Sequence, residues 1–267
     1  MSEIKFTKMQ GTGNDFIVID NRSGMFSGSE HYFFEKICRR RFSVGADGVI
    51  LIQNGKTALV EMFYLNSDGR HTAMCGNGAR CAAKYIFEKN IINNREFDIE
   101  AAGKIYSVRV GKEHVAVRFG SVSDYDPDLH LKLEPEWQRG GFVISGVPHY
   151  VIFVPDVDKV DVEKYGRLYR NNPVFKNGAN INFVQKNGEN IITVRTYERG
   201  VEGETFSCGT GVVASSFIAH KKIGIKQPVT VTTRGGILKV STEDQWKSIF
   251  LTGPAEIVYE GTVVLDL

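Results

Sequence analysis

The sequence is poor in cysteine and nearly balanced in charge. Its four cysteines, Cys38, Cys75, Cys81 and Cys208, are too few for a disulfide framework in 267 residues, and none of them has the CxxC spacing of a zinc site. The 33 basic and 31 acidic side chains leave a net charge of +2, which gives no electrostatic footprint for a nucleic-acid or membrane-surface partner. No uninterrupted apolar run approaches the roughly 20 residues of a membrane helix, and the opening MSEIKFTKMQ has no apolar leader segment. Neither of the Gly-rich turns at Cys75 and Cys208 ends in Lys-Ser/Thr or has the dinucleotide spacing, which sets nucleotide binding there aside. What remains is the composition of an ordinary soluble globular chain, 42% hydrophobic and 24% charged. The reading is a cytoplasmic protein that acts on a small molecule and keeps its cysteines as thiols.

What is present is a repeat. Cys75-Gly-Asn-Gly opens the helical run CGNGARCAAKYIFEKNII, and Cys208-Gly-Thr-Gly opens CGTGVVASSFIAHKKIGI. The offset, 208 − 75 = 133 residues, also carries Tyr64 onto Tyr197 and Ile92 onto Ile225. Further on, FDIEAAGKIYSV and VTVTTRGGILKV align with one residue fewer between them, so that Gly103 meets Gly235 and Ile105 meets Ile237. Each copy reads as strand, Gly-rich turn, helix, turn, strand and hairpin, with alternating apolar residues in the strands.

A lone cysteine is most simply a small buried hydrophobe, and a Gly-rich turn before a helix often serves packing alone. Duplication of the pair weakens both readings. First-turn N–H groups of a helix lack intrahelical partners and carry the positive end of the dipole, so a thiol placed there ionises more readily. Glycines beside it expose N–H groups that can also hold a carboxylate. Inverting an sp³ carbon needs a proton removed from one face and another delivered to the opposite face, and two opposed thiols provide that. Cys38 and Cys81 are expected to be structural, Cys81 because it lies beyond the first turn.

The segments GTGNDF (Gly11 to Phe16), NSDGRHTAMCGNGARC (Asn66 to Cys81), SGVPHYV (Ser145 to Val151), GANINF (Gly178 to Phe183) and YERGVEGETFSCGTG (Tyr197 to Gly211) resemble diaminopimelate epimerases. They run in family order over nearly the whole chain. The resemblance implies an α/β (α+β) fold of two pseudo-symmetric halves, each a mixed barrel-like sheet wrapped around a central helix. The halves are expected at 1–122, joined by the C-terminal strand within 256–267, and at 123–255, with the change in the Ser121 to Asp128 stretch. The implied reaction is epimerisation of L,L-diaminopimelate to the meso form, for lysine and peptidoglycan, with no pyridoxal phosphate and no metal.

On this resemblance Cys75 and Cys208 are the acid/base pair. The N–H groups around Gly76, Asn77, Gly209 and Thr210 hold the reacting carboxylate. Asn14, Asn66, Asn180 and Arg199 hold the substrate, Arg199 at the distal carboxylate, and Glu198 and His149 stand beside the reacting centre. The asparagines read alone as turn residues, Glu198 and Arg199 as a solvated pair, and His149 as a turn histidine after Pro148. Two departures from the family pattern are Val147 in Gly146-Val147-Pro148-His149, where an asparagine is common, and Gly48, where a glutamine is common; His71-Thr72 is a third. A homodimer is compatible with the resemblance. Two rival classes are a thiol-disulfide oxidoreductase, which would bring its cysteines close in sequence, and a noncatalytic amino-acid-binding protein, which would need neither thiol.

Overall fold

A computed structural model of the chain describes residues 2–72 and 74–265. Ala73, inside the first cysteine segment, and Met1, Asp266 and Leu267, at the outer ends of the expected first half, lie outside the described residues. The elements run β1 (Ser2–Gly11), β2 (Asn14–Asp20), α1 (His31–Cys38), β3 (Gly48–Asn54), β4 (Val60–Asn66), α2 (Gly76–Glu88), β5 (Glu96–Ala101), β6 (Lys104–Val110) and β7 (His114–Phe119). Then come β8 (Ser123–Asp126), β9 (Gln138–Ser145), β10 (Val147–Phe153), α3 (Val162–Arg170), β11 (Asn180–Lys186), β12 (Ile191–Glu198) and β13 (Gly203–Thr205). The series closes with α4 (Gly209–Ile223), β14 (Val229–Thr233), β15 (Gly236–Glu243), β16 (Ser248–Pro254) and β17 (Glu256–Leu265).

The chain divides into two compact units, Met1–Arg118 with Gly253–Leu267, and Phe119–Thr252. The first change of unit falls at the end of β7, just ahead of the Ser121 to Asp128 stretch. In the first unit β17 pairs antiparallel with β1 and β1 with β2, β2 runs parallel to β3, β3 pairs with β4, β4 runs parallel to β5, and β5, β6 and β7 form a meander. The second unit repeats that order with β8, β9, β10, β11, β12, β14, β15 and β16. Both sheets are therefore mixed, and the two parallel pairs in each are the crossovers that α1 and α2, or α3 and α4, make.

Each sheet wraps its second helix. Helix α2 packs against β1, β2, β3, β4, β6 and β17, and α4 against β9, β10, β11, β12, β14 and β15. Residues Gly211 to Ala219 of α4 are all buried, as a helix with no polar face must be. The outer face of each sheet is covered by the first helix: Phe33, Phe34 and Ile37 of α1 pack on Val49, Leu51 and Leu65, while Val162 and Tyr169 of α3 pack on Tyr150, Ile152 and Phe183. Strands covered on both faces read as unbroken apolar runs, Phe16 to Ile19 and Val49 to Ile52 among them. Both central helices stop two to four residues before the ends of the helical runs seen in the sequence, because Asn90 and Gly224 take left-handed φ of 54° and 66° and cannot continue the helix.

Candidate active site

Cys75 and Cys208 occupy the same place in the two units. Each is the N-cap of its helix, extended at φ −100° and −109°, with no side-chain cap of its own. Their carbonyls already take the N–H of Ala79 at 2.8 Å and of Val212 at 2.9 Å. Both sulfurs therefore stand over the first turn, where an α-helix presents N–H groups without intrahelical acceptors and the positive end of its dipole. Glycine at the third helical position lets each helix approach its sheet. A Cβ on Gly78 would lie 3.3 Å from Ile50, and one on Gly211 only 2.5 Å from Asn182 Oδ1.

In the first unit, β1 and β2 are joined by Thr12 and Gly13, both at positive φ (52° and 81°), the two-residue turn that twists with the hairpin. Asn14 emerges from that turn beside α2. Its Oδ1 accepts from Cys75 Sγ at 3.6 Å and from Asn77 Nδ2 at 3.4 Å, and its Nδ2 donates to Asp47 Oδ2 at 2.6 Å. Asp47 is bound by Arg40 at 2.8 Å, and Arg40 also binds Asp15, which Lys8 meets at 2.7 Å. Burial pushes the Asp15 carboxyl up, but Arg40 and Lys8 together draw it down to about 2.

Asn77 is buried, and its Oδ1 accepts from Arg80 Nη2 at 3.0 Å. Arg80 has no exposed surface. It also donates to Thr12 Oγ1 at 3.0 Å and Pro254 O at 3.2 Å, and its Nη1 has no hydrogen-bond partner among the described residues. Burial pulls its pKa down, against the neighbouring sulfurs of Cys81 and Cys75. Asn66 is exposed at the end of β4, in register with Gly48. Burial pushes the thiols of Cys38 and Cys81 up to about 12, which leaves neither as a base.

In the second unit, His149 on β10 pairs in register with Asn180 on the parallel strand β11. The ring is fully buried. Asn182 donates from Nδ2 to His149 Nδ1 at 3.2 Å and to Tyr150 O at 3.1 Å, while its Oδ1 accepts from Thr196 at 3.0 Å. Both ring nitrogens thus face asparagine amide groups, Nδ1 that of Asn182 and Nε2 the Nδ2 of Asn180 at 3.4 Å. Asn180 Oδ1 accepts the Arg199 N–H at 2.7 Å, and the Arg199 guanidinium donates to Asn177 O at 3.1 Å. Burial pushes the Glu198 carboxyl up, against a hydrogen bond with Cys208. Cys208 Sγ also lies 3.4 Å from Thr210 Oγ1.

Among the described residues no group of three or more His, Cys, Asp or Glu is placed to hold a metal ion. The sequence model of the diaminopimelate epimerase family matches residues 6–124 and 141–258. The chain is 39% identical to the diaminopimelate epimerase of Aquifex aeolicus, over 97% of each chain, and 40% identical to that of Methanocella arvoryzae, over 100% of this chain and 99% of the relative. This chain belongs to the diaminopimelate epimerase family. Among solved structures it is similar to a phenazine biosynthesis protein of the PhzF family from Bacillus anthracis (TM-score 0.75, 16% identity, 99% of this chain and 100% of that one). A hydroxyproline epimerase from Agrobacterium vitis gives a TM-score of 0.67 at 14% identity, over 99% of this chain and 93% of that one. At such identities these two show the fold alone, a mixed α/β fold in two repeated halves.

Gly48 and Val147, two of the three departures from the family pattern, have different surroundings. A Cβ on Gly48 would lie 2.5 Å from Leu65 O and 2.6 Å from the Tyr64 ring, so the tyrosine already fills the space a glutamine would enter. Gly48→Gln is expected to destabilise the fold by about 1–3 kcal/mol, the usual range for overpacking, read as a lower urea midpoint. An unchanged midpoint would mean that Tyr64 swings aside freely. Val147 is half-buried, and a Cβ on its neighbour Gly146 would lie 3.5 Å from Thr210 Cγ2, so the backbone just before Val147 runs close to the start of α4.

The buried histidine has a signature in pH. Burial and the charge of Arg199 press it from 6.5 to about 3, against the Asn182 hydrogen bond. The unfolded chain therefore binds a proton between those values that the folded chain does not, and stability falls as pH drops through that window. His149→Gln should flatten the acid limb of urea midpoint against pH. An identical limb in the variant would mean that His149 charges in the folded state.

The sequence did not single out Asp47, Arg80, Asn182 or Thr196. Asn182 was within reach, since it lies two residues beyond Asn180 in GANINF and so on the same strand face. Arg80 follows the cysteine motif in NGAR, but an arginine in a helix gives no sign from sequence that it is buried.

Proposed function

We propose that this protein interconverts L,L- and meso-diaminopimelate in the cytoplasm, as a step of lysine and peptidoglycan precursor synthesis, with Cys75 and Cys208 as a two-base pair. The observation that carries the reading is the duplicated cysteine N-cap, in a chain whose family is named for that reaction. One sulfur, as thiolate, takes the α-proton. The other, as thiol, gives its proton to the opposite face of the same carbon, and the two exchange roles for the reverse reaction. The mechanism requires the two thiols to reach opposite faces of that carbon.

As the Cα–H bond breaks, charge moves onto the adjacent carboxylate. The first-turn N–H groups at Gly76, Asn77, Gly209 and Thr210 are suited to hold it, since they are fixed dipoles that need no reorganisation. Asn14, Asn66 and Asn180 would position the substrate, and Arg199 would grip its distal carboxylate. Glu198, hydrogen-bonded to Cys208, can take up and return that thiol's proton, and His149 would act as a neutral group. A coupled assay with L,L-diaminopimelate and no added cofactor tests the reading. Sustained formation of the meso isomer is expected, and its absence in folded protein would overturn it.

A further inference from the structure

Arg199 stands among three glutamates and pairs with none of them. Glu198, Glu202 and Glu204 lie within five residues of it, yet among the described residues its guanidinium meets only a carbonyl, Asn177 O. Glu204 is taken by Arg195, whose Nε and Nη2 reach its two oxygens at 2.7 and 2.8 Å, and by Arg234 at 3.1 Å. Burial pushes the Glu198 carboxyl up, which disfavours its anion. Glu202 is taken by Arg170, the last residue of α3. Arg170 Nε and Nη2 both reach Glu202 Oε1, at 2.9 and 2.7 Å, and Nη1 donates to Asn171 Oδ1 at 2.7 Å, so all three guanidinium nitrogens are engaged.

Of the three carboxylates, Glu202 is the one the turn brings back towards Arg199. Its backbone N–H donates to Glu198 O at 2.8 Å, and its Oε1 accepts the N–H of Gly200, the residue after Arg199, at 3.0 Å. That backbone bond and Arg170 hold its carboxyl below the usual range, so it is an anion at neutral pH. Arg170 also packs against the segment that Arg199 reaches. A Cβ on Gly178, which has φ 69°, would collide with the Arg170 guanidinium, and Ala179 N–H donates to Arg170 O at 3.3 Å. Two arginines thus approach Asn177 and Gly178, and the anion in the adjoining turn is held by one of them.

We infer that Arg170 is a positioning residue that draws Glu202 away from Arg199, so that the Arg199 cation stays unpaired for the distal carboxylate of the substrate. Without Arg170, the Glu202 anion is left uncompensated beside a cation three residues away, and a carboxylate of the protein's own competes with that of the substrate. Competition lowers the fraction of protein in which Arg199 is free, and the apparent affinity falls by that fraction. It acts on binding and leaves the chemistry at Cys75 and Cys208 alone, so it moves KM and not kcat.

The inference rests on the reading of Arg199 as the group that grips the distal carboxylate, and the two fail separately. In steady-state assays of the full chain with L,L-diaminopimelate, Arg170→Met should raise KM about fivefold, the upper end for a partly exposed ion pair, with kcat kept. Glu202→Gln in the same chain removes the competing charge but keeps an oxygen for the Gly200 N–H, and should return KM to near the wild-type value. Glu202→Gln alone should not raise KM. A raised KM that Glu202→Gln fails to restore makes Arg170 a purely structural residue and overturns the inference. So does a Glu202→Gln single variant whose KM falls about fivefold, because Glu202 would then oppose the substrate even with Arg170 in place. Arg199→Met with a wild-type KM removes the reading of Arg199 itself, whereas a raised KM there beside a wild-type KM in Arg170→Met overturns the inference alone. Should Arg170→Met not fold, phenylglyoxal labelling of the wild-type protein, followed by peptide mass, decides: faster labelling of Arg199 than of Arg170 supports the inference, and the reverse order refutes it.

Discussion

In deuterium oxide, the first epimerised product this protein releases should carry deuterium at the inverted carbon while unreacted substrate stays protiated. The thiol that delivers the proton has exchanged with solvent, whereas the proton taken from substrate remains on the opposite sulfur. One base swinging between faces would return much of the original hydrogen to product. Because each thiol is base in one direction and acid in the other, Cys75→Ala and Cys208→Ala should each suppress inversion both ways, by about a hundredfold or more. Either alanine is a small change at an N-cap that makes no side-chain cap hydrogen bond, so the loss should come with native stability. Early product that keeps its hydrogen, or an alanine variant that still inverts at near-normal rate, would sink the two-base reading.

Replacing Arg199 by methionine is the second large effect. Its backbone N–H is held by Asn180 and its guanidinium reaches Asn177 O, so the substitution keeps the strand end in place and removes only the half-buried charge. If that charge grips the distal carboxylate, kcat/KM should fall by about tenfold or more, the roughly 1.5–3 kcal/mol of a charge-assisted hydrogen bond, and chiefly through KM. A variant with wild-type kcat/KM would assign the side chain to the surface.

Much of the architecture was legible because it depends on local pattern. The duplicated Cys-Gly-x-Gly and the 133-residue offset place two helix starts, and Tyr64 and Tyr197, matched by that offset, lie buried on β4 and β12. Local pattern does not show which polar side chains turn inward. Asp47 looks like a turn residue in GADG, Arg80 like the exposed face of a helix and Lys8 like an ordinary strand lysine, yet Arg80 and Lys8 are buried and Asp47 holds Asn14. Their partners lie 33 residues from Asp47 and 68 from Arg80. Such contacts are set by how strands assemble around α2, which no window of sequence contains. Gly48 is the reverse case: it reads as a lost amide, and only the Tyr64 ring above it explains the glycine.

The order of the strands also bears on how the protein is made. The unit that carries Cys75 takes β1 from the start of the chain and β17 from its end, with all of Phe119–Thr252 spliced between. On a ribosome, the Cys208 unit can close while the edge of β1 that β17 will cover still waits for β17 to emerge. Loss of β17 would therefore strike the older-born unit, the one that carries Cys75, and leave the later-born one with every strand it pairs.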